Sequence, residues 1–125
     1  MTVTPAEATA TAHETFGRHP GYRALHAKGT LLKGTFTANP EGAALTRAKH
    51  MLGEPVPVTA RVSNGIGNPD VPDYAPDVRG LAVKMYLPDG SRTDIVAQTA
   101  PRFVGSDPET FLALLRATKT GPAMA

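Results

Sequence analysis

Cysteine is absent from the 125-residue chain. Its absence excludes disulfides, cysteine-based zinc sites, iron–sulfur clusters and thiol nucleophiles. No apolar run approaches the ~20 residues that a membrane helix needs. The opening Met-Thr-Val-Thr-Pro-Ala-Glu has neither a basic n-region nor an apolar h-region, so a secretory leader is not expected and the cytoplasm is the expected compartment. A strong charge of one sign is also missing: 13 Lys+Arg stand against 11 Asp+Glu, for a net +2. The basic residues are spread along the chain, which argues against a nucleic-acid-binding stripe. No G-x-y or heptad repeat runs through the sequence, and no P-loop or G-x-S-x-G elbow occurs. Gly65-Ile66-Gly67 lacks the completion of a dinucleotide fingerprint and does not open a helix.

What remains is a turn-rich domain. The chain is 41% hydrophobic and 19% charged, which allows a core, and 12 Gly with 12 Pro suit strands joined by many turns. Thr4 as cap, Pro5 at the first helical position and Gly17 as stop predict a helix over 5–17. Residues 22–38 alternate loosely and read as one long strand with bends at Gly29 and Gly34. Asn39-Pro40-Glu41 resembles a helix start, with a helix through 43–51 ended by Gly53. Residues 56–63 alternate with a period near two and predict a strand, and 64–77 read as a Gly/Pro-punctuated loop. Residues 79–87 and 92–98 form a hairpin around Pro88-Asp89-Gly90-Ser91. Ser106-Asp107-Pro108-Glu109 opens a helix whose Phe111, Leu114 and Leu115 lie at i, i+3 and i+4. The tail from Lys119 carries no stop signal. The order is α+β, with strands suited to a barrel or a strongly curved sheet.

Taken residue by residue, the chemistry is sparse. His26 sits between Leu25 and Ala27 in an expected strand, either as a satisfied structural histidine or as an acid/base near its useful range. His13, His19 and His50 have poor ligand spacing and read as surface residues. Asp70, Asp73 and Asp77 lack a calcium-loop pattern and fit turn chemistry.

Four ordered blocks then show a likeness. Arg23-Ala24-Leu25-His26-Ala27-Lys28-Gly29 resembles the R-x-x-H-A-K-G segment of haem catalases. Arg61-Val62-Ser63 resembles the family's R-F-S strand, and Asp77 to Tyr86 resembles D-x-R-G-F-A-x-K-F-Y. Asp94 to Pro101, with Phe103 and Asp107 beyond it, resembles the D-L-x-G-N-N-T-P segment and its continuation. The short connections and the H-P-G-Y-R lead-in are most similar to small bacterial catalase-related peroxidases.

The resemblance implies haem b as cofactor and hydrogen peroxide as substrate, with an organic reductant and a homo-oligomer among the expected partners. It implies that His26 moves a proton from one peroxide oxygen to the other while Ser63 fixes its ring. It also implies that Arg23 and Arg61 pair with the haem propionates, that Leu25 presses on the haem face, and that Phe103 and Phe111 wall the pocket. The family's distal asparagine falls at Gln98, or at Thr99 with a one-residue shift. An amide one methylene longer favours peroxidase-type turnover over catalase. The family's phenolate iron ligand lies on an R-x-x-x-Y helix, and none of Tyr22, Tyr74 and Tyr86 sits four residues after an arginine on an expected helix. The expected organisation is therefore an N-terminal helix and turn over 1–21. Residues 22–125 then form the distal haem side of an incomplete, catalase-like antiparallel β-barrel. The competing expectation is an inactive fragment, or a small non-enzymatic β-barrel module binding an apolar ligand.

Overall fold

The computed structural model of the chain describes residues 2–120. Its elements are α1 (Pro5–Phe16), β1 (Gly29–Phe36), α2 (Pro40–Ala43), a 3-10 turn (Lys49–Met51), β2 (Val56–Asn64), β3 (Arg79–Tyr86), β4 (Arg92–Gln98) and α3 (Pro108–Thr120). The fold is α+β, with one four-stranded antiparallel sheet in the order β1-β2-β3-β4. Of the tail expected from Lys119, residues 119–120 belong to α3 and 121–125 lie outside the described residues.

Two compact units divide the chain. The first comprises Met1–Lys28, Ser63–Arg79 and Thr99–Ala125, and it holds α1 and α3. The start of α1 carries a capping box. Thr4 Oγ1 accepts from the Glu7 N–H at 3.1 Å, and Glu7 Oε2 accepts from the Thr4 N–H at 2.7 Å. Asp107 plays the cap role for α3, its carboxylate taking the Thr110 N–H at 2.7 Å. That bond, with a smaller contribution from Ser106, holds the Asp107 carboxyl below the usual aspartate value. Ala12, Leu112 and Leu115 form the buried cluster between the helices, and Val3, Ala8, Phe16, Ala24, Leu25 and Phe111 pack around it. The small alanines of α1 let α3 approach closely. Buried Thr11 is polar but satisfied: its hydroxyl donates to the Glu7 carbonyl and accepts from Arg116.

The second unit comprises Gly29–Val62 and Gly80–Gln98 and holds the sheet. The β3–β4 register runs from Gly80 opposite Gln98 to Tyr86 opposite Arg92, and Gly90 turns the hairpin at φ 86°. Opposed Lys84 and Asp94 form an ion pair at 2.7 Å. Lys49 pairs with Asp89 in the hairpin turn, and this bond holds the Asp89 carboxyl far below the usual aspartate range. Val56, Met85 and Ala38 are the buried apolar residues of this unit. Much of the rest of the sheet is open: Leu31 is 68% and Val96 82% exposed.

Three expectations are corrected here. The first long strand begins at Gly29, not at residue 22, because the N–H groups of His26 and Ala27 go to Gly65 and Ile66 rather than to a strand neighbour. The helix expected over 43–51 is one turn at Pro40–Ala43 and a separate 3-10 turn. Asn39 caps as read, taking the Gly42 N–H at 2.7 Å, but Thr46 Oγ1 then takes the Ala48 N–H and breaks the ladder. The sheet of the described residues is open, which is compatible with the expected incomplete barrel and does not by itself make one. His13, His19 and His50 are half-buried rather than surface groups, and His50 lies 6.3 Å from the Phe36 ring.

Candidate active site

His26 is the only non-glycine residue with a positive φ, at 50°, among those described. Left-handed backbone is unfavourable for a side chain with a Cβ, and it persists only where surrounding bonds over-determine it. The bonds are present. The His26 N–H donates to the Gly65 carbonyl at 3.0 Å, the Ala27 N–H to Ile66 at 3.3 Å, and the Asn64 N–H to Lys28 at 3.0 Å. Residues 26–28 therefore lie beside 64–66, and Ser63 at the end of β2 meets the imidazole: His26 Nδ1 and Ser63 Oγ are 2.9 Å apart. That contact occupies Nδ1 and orients the ring, the serine hydroxyl being able to donate to it or to accept from it.

Glycine permits this approach. A Cβ on Gly67 would stand 2.0 Å from the Ala24 carbonyl oxygen, and one on Gly65 2.6 Å from a Val78 methyl. Only glycine fits at either place.

Around the loop, Arg79 donates to Asn64 Oδ1 and to the carbonyls of Asp73 and Ala75 at 2.7–2.8 Å. Lys28 Nζ reaches Asp73 Oδ1 and the Val71 carbonyl, each at 2.8 Å. Asn64 Nδ2 donates to the same Asp73 oxygen at 2.9 Å. The Lys28 bond first, then the Asn64 bond, hold the Asp73 carboxyl below its usual value. Sequence reasoning gave neither Arg79 nor Asp73 a role at the site. The D-x-R pattern beginning at Asp77 was the available signal.

The other residues expected at the site are more dispersed. Phe103 and Phe111 come together with ring centroids 5.1 Å apart, and Phe103 is 61% exposed. Phe111 and Leu25 also pack against the α1–α3 cluster. Arg23 is exposed in the irregular segment before His26. Arg61 and Gln98 belong to the sheet unit. Arg61 lies over Gly29, its guanidinium filling the space where a Cβ would come within 2.6–2.8 Å of it. Gln98 ends β4 opposite Gly80. Of the tyrosines, Tyr22 and Tyr74 are exposed outside the helices and strands, and Tyr86 in β3 has its hydroxyl 3.1 Å from Thr59 Oγ1.

A model of the catalase family matches residues 10–125. The chain belongs to the catalase family. It is 53% identical over 119 residues to a catalase-related peroxidase from Mycolicibacterium paratuberculosis, covering 95% of this chain and 38% of that protein. A catalase-related peroxidase from Synechococcus elongatus is 34% identical over 120 residues, covering 96% of this chain and 35% of the relative. A Staphylococcus epidermidis catalase is 37% identical over 102 residues, covering 80% of the chain and 20% of its own length. The chain thus spans little more than a third of the two peroxidase relatives.

Proposed function

We propose that the chain carries the distal side of a haem site in a catalase-related peroxidase that reduces hydrogen peroxide to water. The observation that carries this reading is the 2.9 Å contact between His26 Nδ1 and Ser63 Oγ, made by a histidine held in left-handed backbone. The residue types suit haem. An imidazole, an aromatic pair with one open ring and a guanidinium seated over a glycine match a distal proton shuttle, an apolar wall and a propionate partner. When bound, haem b supplies the redox centre that accepts the oxidising equivalents of peroxide.

His26 carries the proton traffic. Its Nε2 takes the proton from one peroxide oxygen and delivers it to the other, so that the O–O bond breaks with water as leaving group. Ser63 accepts from Nδ1–H and holds the ring in place while Nε2 takes up the proton and releases it. Arg23 and Arg61 hold propionates, Leu25, Phe103 and Phe111 exclude water from the reacting face, and the Gln98 amide donates a hydrogen bond to peroxide. An organic reductant returns two electrons and two protons, so that the second oxygen also leaves as water. The sheet is read as a segment of the family's barrel, in a cytoplasmic homo-oligomer.

A second reading, a non-enzymatic module that binds an apolar ligand, is favoured by the exposed Leu31 and Val96 of the sheet. One experiment separates the two. The chain alone, and the chain joined to the downstream part of the Mycolicibacterium relative, are titrated with haem at the Soret band and assayed for peroxide consumption. His26→Ala in the joined protein is expected to lower the rate by about 10²–10⁴-fold at equal haem occupancy. An unchanged rate removes His26 from the mechanism. Absence of haem binding in the joined protein leaves the module reading.

A further inference from the structure

The segment Asp77-Val78-Arg79 has no part in the proton transfer, yet it grips three consecutive residues beside Ser63. Asp77 Oδ2 accepts the Ile66 N–H at 2.9 Å, the Val78 carbonyl accepts the Gly65 N–H at 2.9 Å, and Arg79 Nη1 donates to Asn64 Oδ1 at 2.8 Å. Residues 64–66 are the same three that bond residues 26–28 on their other edge. They form a middle rail, clamped on one side by 77–79 and carrying His26 on the other. The Arg79 side chain is the most heavily committed part of the clamp. Besides Asn64 it donates to the Asp73 carbonyl at 2.7 Å and the Ala75 carbonyl at 2.8 Å, which ties the loop to the rail. The left-handed φ of His26 is unfavourable unless bonds from elsewhere impose it, and the rail is where its N–H and that of Ala27 are bonded.

We propose that Arg79 is a positioning residue. It fixes residues 64–66 and through them holds the His26 backbone and the His26–Ser63 contact. A planar fork is needed to reach three acceptors at once, and a single lysine ammonium does not reproduce that set. The proposal rests on the reading of His26 and Ser63 as a working pair.

The test observes the ring of His26 without haem. In the ¹⁵N-labelled chain, long-range ¹H–¹⁵N correlations report the two ring nitrogens at about pH 8.5, where an ordinary imidazole is neutral. Ser63→Ala sets the displacement that accompanies complete loss of the ring contact. Arg79→Met is expected to displace the His26 nitrogens by about half of that or more, and Arg79→Lys by a similar amount. Lys84→Met, which breaks the Lys84–Asp94 pair in the sheet unit, is expected to leave them in place. Should Arg79→Met fail to fold, Asp77→Ala, which frees only the Ile66 N–H, is expected to move them in the same direction. Unmoved ring nitrogens in the folded variants overturn the positioning role while Ser63→Ala still registers. A silent Ser63→Ala overturns both the role and the pairing beneath it. A displaced ring, found together with a joined haem protein indifferent to His26→Ala, supports the positioning role and refutes only the proposed function.

Discussion

Gly67→Ala is the substitution with the sharpest consequence. The added methyl would sit 2.0 Å from the Ala24 carbonyl oxygen, more than 1 Å inside the ~3.3 Å of a close C–H···O contact. Neither side has room to yield. Gly67 is buried, the Phe16 ring carbon stands 3.0 Å from the same point, and the obstructing atom is backbone rather than the end of a mobile side chain. Overpacking of this kind costs about 1–3 kcal/mol, and a backbone clash belongs at the upper end, near ~3 kcal/mol. For a chain of this size that is a fall in melting temperature of about 10 °C, and a large share of a total stability of about 5–15 kcal/mol. Gly34→Ala is the control: nothing lies within 4 Å of its Cβ, its φ is not left-handed, and its effect is about 0.5 kcal/mol or a slight gain. Urea unfolding followed by circular dichroism measures both. Equal midpoints for the two variants would refute the close approach of 67 to 24, and with it the account of how the His26 segment is held.

Thr4→Ala removes the side-chain half of the capping box, the acceptor for the Glu7 N–H, and is expected to cost about 1 kcal/mol, read in the same unfolding assay; a change below about 0.3 kcal/mol would deny that α1 depends on its cap. The Asp73 carboxylate, held below its usual 3.8 by Lys28 first and Asn64 next, stabilises its loop above the unfolded value and loses that effect as pH falls through the depressed folded value. The Asn64 side-chain amide, followed by NMR from about pH 6 downward, should therefore keep its position until the pH is below 3.8. Movement centred near pH 5 contradicts the Lys28–Asp73 bond.

The parts of the fold legible in the sequence are those whose determinants are local. Thr4 before Pro5, and Asp107 before Pro108, mark helix starts by side-chain oxygens that sit beside the N–H groups they satisfy. Pro88-Asp89-Gly90-Ser91 gives the hairpin for the same reason, since Gly90 supplies the left-handed turn residue. Residues 22–28 misled because alternation is only one way to satisfy a backbone. The N–H groups of His26 and Ala27 are taken by Gly65 and Ile66, almost forty positions away, and no local pattern encodes that pairing. The helix expected over 43–51 failed on a local competitor, Thr46, whose hydroxyl offers the Ala48 N–H an alternative to the helix ladder. At the site, His26 and Ser63 were legible through resemblance rather than spacing, and the structure brings them to 2.9 Å. Arg79 was not, because a guanidinium bonded to carbonyls looks in sequence like any exposed arginine.

The backbone of His26 shows how the site constrains the rest of the chain. A glycine at this position would adopt φ 50° without strain, and would leave no imidazole. An asparagine tolerates the same conformation but cannot take up and release a proton near neutral pH. Keeping the titratable ring therefore means keeping an unfavourable backbone, worth about 1–2 kcal/mol, and the compensation must come from residues with no chemistry of their own. Gly65 and Gly67 serve that purpose by lacking side chains, so that 64–67 can come close enough to bond 26–28. Asp77, Val78 and Arg79 serve it by occupying the far edge of the same three residues. Two of the resembling blocks, one around His26 and one beginning at Asp77, are thus parts of one device although about fifty residues separate them. The first presents the His26 imidazole proposed for proton transfer, and the second keeps its backbone where relaxation would otherwise take it away.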